Sequence, residues 1–361
     1  MNQYTSFVHN NEKIRVQFKS NSNNDRLYSN WEINALTSKI NSFYYKTEML
    51  NSIESLILSG VNPKKIWIIN NSVDIHNQYS RYPNGIINIP NESTKLYYLG
   101  TPISLENNNK VHKLSIFFSA FRDIFYIIGK NNLNYINKHS TLTEIYIKIM
   151  LENENLDIEA YFLDKIHESN SILDEKIEKS IYSILKDYKT QLSSEKQPDF
   201  FKTFQSLERP LIVVQHEDHI ELLGYELFKR SEFRKDNPRF LETNTISQNS
   251  PLIIELTMTI AFLSGLISVG YQRINLYKTD IENLKEQEQK EQEILELENE
   301  INILENEINS LKQEEIPYTQ DVEDEENIKQ STIIDIINAK NAEAKKIANE
   351  FDDKDITTKI N

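Results

Sequence analysis

The sequence predicts an α+β body, built on a mixed or antiparallel sheet with a helical insertion, followed by a long C-terminal helix and a coiled coil. Three observations carry this expectation. Strand-like runs come first, a helical block follows, and strand-like runs return before residue 249. That order suits segregated helices and strands better than repeating βαβ units. Between Pro251 and Pro317 no proline interrupts the chain, and residues 294–311 place apolar side chains at heptad spacing. The expected partition is a globular body at 1–248, an apolar junction helix at 249–280, an acidic coiled coil at 281–316, an acidic linker at 317–331, and an amphipathic helix with its end segment at 332–361.

The elements follow in order. Residues 5–19 read as a β-hairpin, with TSFVH and KIRVQFK alternating around NNE. Ser29 to Glu32 (SNWE) has capping-box spacing and opens a helix that should stop at Gly60. KKIWIINNSV reads as a buried strand. KLYYLGTPISL reads as a second strand, bent at Gly100–Thr101–Pro102. Lys113–Ile128 is apolar on nearly every face and reads as a central helix ending at Gly129. LTEIYIKIML, DIEAYFLDKIH, ILDEKIEKSIYSILKDY and PDFFKTF continue the helical block. PLIVVQ, IELLGYELF and the weaker FLETNTI return to strand.

SPLIIELTMTIAFLSGLISVGYQ, Ser250 to Gln272, is the most apolar window, with no charge between Leu256 and Gln272. Ser250 suits an N-cap and Pro251 a first helical position. Thr257, Ala261, Gly265 and Ser268 would form a small-residue stripe for close helix packing, in lipid or in protein. Two readings stay open: a helix buried in protein, and a membrane anchor over 252–272. Seventeen uncharged residues lie at the lower limit for about 30 Å of hydrocarbon.

The heptads place Ile294, Ile301 and Ile308 at a, and Leu297, Leu304 and Leu311 at d. LENEIN occurs twice, seven residues apart. Ile at a with Leu at d favours two parallel strands. However, Glu298 and Glu305 at e would face Glu300, Glu307 and Glu314 at g, and like charges oppose a parallel homodimer. The final helix, STIIDIINAKNAEAKKIANEF, spaces Ile333, Ile337, Lys340, Ala344, Ile347 and Phe351 by fours and threes. Folding back, its Lys340, Lys345 and Lys346 would meet those glutamates. A dimeric stalk and an intramolecular helical hairpin therefore both fit.

Charge is segregated. Residues 281–361 hold 23 Asp and Glu against 9 Lys and Arg, a net of −14 out of −15 for the chain. The preceding body is close to neutral, so nucleic acid is not an expected partner of the whole molecule. A local basic run, Lys229, Arg230, Arg234, Lys235 and Arg239, is the exception, and would suit phosphates of lipid or nucleic acid. The bland reading is a solvated edge with Glu232 and Asp236 interleaved. Zero cysteine excludes disulfides, thiolate metal sites and a cysteine nucleophile. The N-terminal residues lack a basic and then apolar leader pattern, so the expected location is the cytoplasm, not secretion. Abundant Asn, Ile, Lys and Tyr point to an AT-rich genome, such as that of a low-GC bacterium or phage.

Catalytic motifs are scarce. The seven glycines form neither a dinucleotide nor a P-loop pattern, and neither H-E-x-x-H nor G-x-S-x-G occurs. No cofactor is expected. The best local candidate is QHEDH, where His216, Glu217, Asp218 and His219 on one hairpin tip could hold a divalent metal. A solvated turn explains the same residues. Asp157, Glu159, Asp164 and Lys165 supply nuclease residue types, but at helical spacing, which suits an outer helix face. Trp31, Phe43, Tyr44 and Tyr45 suggest packing before any ligand cage. The expected function is therefore a non-catalytic or regulatory protein. Its body recognises a partner, and its C-terminal helices bind a second copy or another protein. The alternatives are a membrane-anchored stress or phage-defence effector, and a metal-dependent hydrolase or nuclease.

Overall fold

The computed structural model describes residues 13–20, 28–72, 85–134, 136–170, 174–193, 197–224, 242–247, 252–259, 274–275 and 320–360. Outside them lie the heptad residues Ile294, Leu297, Ile301, Leu304, Ile308 and Leu311. So do Lys229, Arg230, Arg234, Lys235 and Arg239, together with Ala261, Gly265 and Ser268. The described residues are mixed α and β, in two compact units. Unit 1 takes its described residues from between Met49 and Arg234. Unit 2 takes its own from Val8–Glu48 and from Lys235–Asn361. This differs from the expected linear partition: N-terminal and C-terminal segments build one unit together.

Unit 2 is a five-stranded sheet, in the order β7-β8-β1-β10-β9. β1 is Lys13–Ser20, β7 Glu242–Ser247, β8 Ile253–Thr259, β9 Ile274–Asn275 and β10 Ile356–Ile360. All neighbours are antiparallel except β9 and β10. Along β1, Val16, Phe18 and Ser20 are buried while Arg15 and Lys19 are exposed. This is the period-2 pattern of a sheet with one covered face. The covering helices are the first half of α1 (Asn30–Leu58) and α8 (Gln320–Asp353). α1 contributes Ile33, Leu36, Ile40, Phe43 and Tyr44, at spacings that line one helical face. α8 contributes Ala344, Ile347, Ala348 and Phe351 to the same core, with Phe18 and Phe351 ring centroids 5.2 Å apart. Each fully buried side chain of this size stabilises by about 1.5–3 kcal/mol.

The predicted capping box is present. Ser29 N–H donates to Glu32 Oε2 at 2.9 Å, and Glu32 N–H donates to Ser29 Oγ at 3.2 Å. α1 ends as expected at Gly60, whose φ of +92° suits glycine. Within unit 2, Lys46 Nζ lies 3.3 Å from Glu343 Oε2, both side chains buried.

Four expectations fall in unit 2. First, residues 253–259 are strand β8, not the start of a helix. Leu252, Ile254 and Leu256 are buried in alternation, and β8 has partners on both edges, β7 and β1. An apolar run does not by itself separate strand from helix; the β-branched Ile253, Ile254, Thr257 and Thr259 favour strand. Thr257, assigned to the helical stripe, sits in the ladder opposite Arg15 and Glu242. The helix expected over 252–272 therefore does not include 253–259, and residues 260–272 lie outside the described residues. Among the described residues no helix is long and apolar enough to cross a membrane. Second, of the expected 5–19 hairpin only Lys13–Lys19 is described, in β1, whose ladder partners are β8 and β10; TSFVH at 5–9 lies outside the described residues. Third, 332–361 is helical up to Asp353 as expected, but its end segment Ile356–Ile360 is strand β10, between β1 and β9. Fourth, α8 buries Ala344, Ile347 and Phe351 as expected, but upstream of them it buries Ile336 and Ala339 and exposes Ile337.

Unit 1 is an antiparallel sheet in the order β3-β6-β5-β2-β4, with a helical block. β2 is Ile66–Ser72, β3 Ile86–Asn88, β4 Pro102–Ser104, β5 Pro210–Gln215 and β6 His219–Leu222. Ile66 to Ile69 are wholly buried, as are Pro210 to Val214, the mark of central strands covered on both faces. The helices are α2 (Ser93–Leu99), α3 (Asn109–Lys130), α4 (Lys138–Tyr146) with a π turn at Ile147–Leu151, α5 (Ile158–Ser169), α6 (Glu175–Leu192) and α7 (Phe200–Ser206). α3 is the expected central helix, with Asn108 accepting from Lys110 N and Val111 N at its start. α2 corrects the strand expected from KLYYL. Its buried Ser93, Leu96, Tyr97 and Leu99 fall at helical spacing, and its tyrosines only imitate β preference. The bend after it needs Gly100, since a Cβ there would lie 2.8 Å from Ile69 Cγ2.

Candidate metal centre

The β5–β6 hairpin brings together the chemistry-bearing residues of unit 1. Val213 pairs with Leu222, Val214 with Glu221 and Gln215 with Ile220. His216 N–H donates to the His219 carbonyl at 2.8 Å, which continues the ladder by one pair and leaves Glu217–Asp218 as the turn. Residues opposite one another in a ladder share a face, as do residues two apart on one strand. His216, His219 and Glu221 therefore converge by register. β3 completes the support: it pairs with β6, placing Asn88 opposite His219 and Ile86 opposite Glu221.

The geometry is tight. The imidazoles of His216 and His219 stack with centroids 4.4 Å apart and an interplanar angle of 16°. His216 Nε2 lies 3.4 Å from Glu221 Oε2. One ligand atom from each of His216, His219 and Glu221 falls within 4.8 Å of the other two. Glu221 is buried, at 9% exposure, whereas the two rings are partly open to solvent. A buried carboxylate needs a cation or donors beside it. Asp218 Oδ1 lies 2.7 Å from His219 Nδ1, and this bond holds the Asp218 carboxyl below its ordinary range. With Nδ1 committed to Asp218, Nε2 is the nitrogen His219 can offer a metal.

The expected set was His216, Glu217, Asp218 and His219. The structure brings the two histidines together. Glu217 is exposed in the turn, and Asp218 bonds His219 from outside. Glu221 replaces them in the cluster. The signal for Glu221 was present in the sequence as His-x-Glu on a strand.

The other candidates are structural. Asp157 caps α5, accepting from Glu159 N and Ala160 N, and Lys189 bonds both Asp157 and Glu159. Lys165 pairs with Glu144 and Glu168, not with Asp157. Phe43, Tyr44 and Tyr45 are buried, while Trp31 is 82% exposed. A surface cleft beside the π turn is lined by His139, Ser140, Thr143, Glu144, Lys148 and Glu152, and within it Lys148 already pairs with Glu144. No family model, curated protein or solved structure matches this chain.

Proposed function

We propose that this chain is a non-catalytic binding protein that recognises a macromolecular partner and self-assembles through its heptad positions. The observation that carries the reading is the paired LENEIN repeat, with Ile294, Ile301 and Ile308 at a and Leu297, Leu304 and Leu311 at d. Residues 276–319 follow β9 and precede α8 in the sequence and lie outside the described residues.

Deleting 281–361 would not test this cleanly, because it also removes α8 and β10 from unit 2. Substitutions confined to the heptads are required. Size-exclusion chromatography with light scattering should give a multiple of the chain mass for the native protein. Leu297→Glu with Leu304→Glu and Leu311→Glu should reduce it to one chain while the thermal unfolding of the rest persists. A native protein that stays monomeric up to about 100 μM, weaker than a stable assembly needs, would remove self-assembly from the reading.

A further inference from the structure

We propose that His216, His219 and Glu221 form a binding site for a divalent first-row transition metal of the zinc type. The proposal is independent of self-assembly. Three features carry it. The donors are set by backbone register: His216 and His219 face each other across the last ladder pair, and Glu221 lies two residues along the same strand. One separation already fits, while the His219 ring must turn out of its stack on His216 for both imidazoles to face one ion. Ligands of a tetrahedral zinc, at bonds of about 2.0–2.1 Å, sit roughly 3.3 Å apart, and His216 Nε2 to Glu221 Oε2 is already 3.4 Å. An outer carboxylate is in place: Asp218 on His219 Nδ1 is the carboxylate–histidine arrangement that orients metal-bound imidazoles.

The donor chemistry selects the cation. Two imidazoles and one carboxylate suit Zn²⁺ and its neighbours Co²⁺, Ni²⁺ and Fe²⁺, whereas Mg²⁺ and Ca²⁺ favour sites made wholly of oxygen. Three protein ligands leave a fourth position, which water would fill at this partly open tip. The competing account is a proton: a charged His216 would neutralise Glu221, and the stacked rings would be packing alone.

The test is titration of the full chain with Zn²⁺ and, separately, Mg²⁺ by calorimetry, with metal content checked after dialysis. The expected result is one Zn²⁺ per chain and no detectable heat with Mg²⁺. Glu221→Gln and His219→Ala should each weaken Zn²⁺ binding at least 10-fold, and Asp218→Asn roughly 10-fold as an outer-shell change. Glu217→Gln should bind as the native chain does. Each variant's circular dichroism should match the native spectrum. Bound Co²⁺ gives a second readout, since tetrahedral coordination produces intense visible bands that His216→Ala should abolish. Native protein that binds no Zn²⁺, or binding that survives His216→Ala with His219→Ala, would overturn the proposal.

Discussion

Unit 1 and unit 2 each join a five-stranded sheet to helices, yet their ladders close over different lengths of chain. In unit 1 the β5–β6 hairpin is formed by consecutive strands, while β2–β5 and β3–β6 close across the helical block. In unit 2 the central strand β1 has β8 on one edge and β10 on the other, so its ladders close across most of the chain. The Lys46–Glu343 pair spans 297 residues and the Thr357–Lys19 bond 338. Contacts between such distant positions carry a larger loop-closure cost before they stabilise anything. Unit 2 is therefore expected to be the more dependent on every one of its pieces.

The sharpest way to break this comparison is to end the chain at Asp355. That removes β10, which supplies Ile356 and Thr358 to the buried side of unit 2 and leaves β1 with an unpaired edge. Unit 2 should lose its protection from hydrogen exchange, and unit 1 should keep its own. The two tryptophans separate the outcomes. Trp67 is wholly buried in unit 1, with its Nε1–H donating to the Lys64 carbonyl, and Trp31 in unit 2 is already 82% exposed. Emission should stay that of a buried indole in the truncated chain. A red shift would mean that unit 1 cannot stand without unit 2.

A smaller change probes the same long-range closure. Glu343→Ala leaves the Lys46 ammonium in the core of unit 2 without this carboxylate. Removing one member of a buried ion pair typically costs about 3–5 kcal/mol. Lys46→Met combined with Glu343→Leu should recover most of that loss, because the charges themselves contribute little net stability. Denaturant midpoints followed by circular dichroism check both. A loss below about 1 kcal/mol for the single variant would mean that water reaches the pair.

What could be read from the sequence divides along the same line. Unit 1 was largely legible, because its signals are local: the Asn108 cap, the apolar faces of α3, α5 and α6, and the apolar runs of β2 and β5. The Ser29–Glu32 capping box was legible for the same reason. Unit 2 was legible only in part: β7 and β8 pair locally, but β1 and β10 find their partners only across most of the chain. IIELTMT is helical or extended on composition alone, and only the neighbours β1 and β7 decide. ITTKI at 356–360 reads as an end segment because its partners, β1 and β9, lie far from it in sequence. The His216–His219–Glu221 cluster falls between these cases. His219 and Glu221 share a face by their two-residue spacing, which the sequence carries, whereas bringing His216 onto that face needed the register of the β5–β6 ladder.

The smallest effect expected is an acid-dependent one in unit 2. Glu350 is partly buried, which by itself would raise its pKa. Lys39 Nζ at 2.5 Å and Lys354 Nζ at 3.2 Å outweigh that and hold the carboxyl below its ordinary range. A carboxylate depressed in the folded state contributes stability above its unfolded pKa and loses it as the pH falls through the folded value. With Lys39 half exposed, the contribution at pH 7 is of order 0.2–1 kcal/mol. Glu350→Gln should therefore lower the thermal midpoint of unit 2 at pH 7. The gap between variant and native should narrow progressively below about pH 5, where an ordinary glutamate begins to protonate. Unit 1, followed through Trp67, should show no such difference at either pH. A gap that stays constant from pH 7 to pH 3 would mean that Glu350 acts through packing and not through its two lysines.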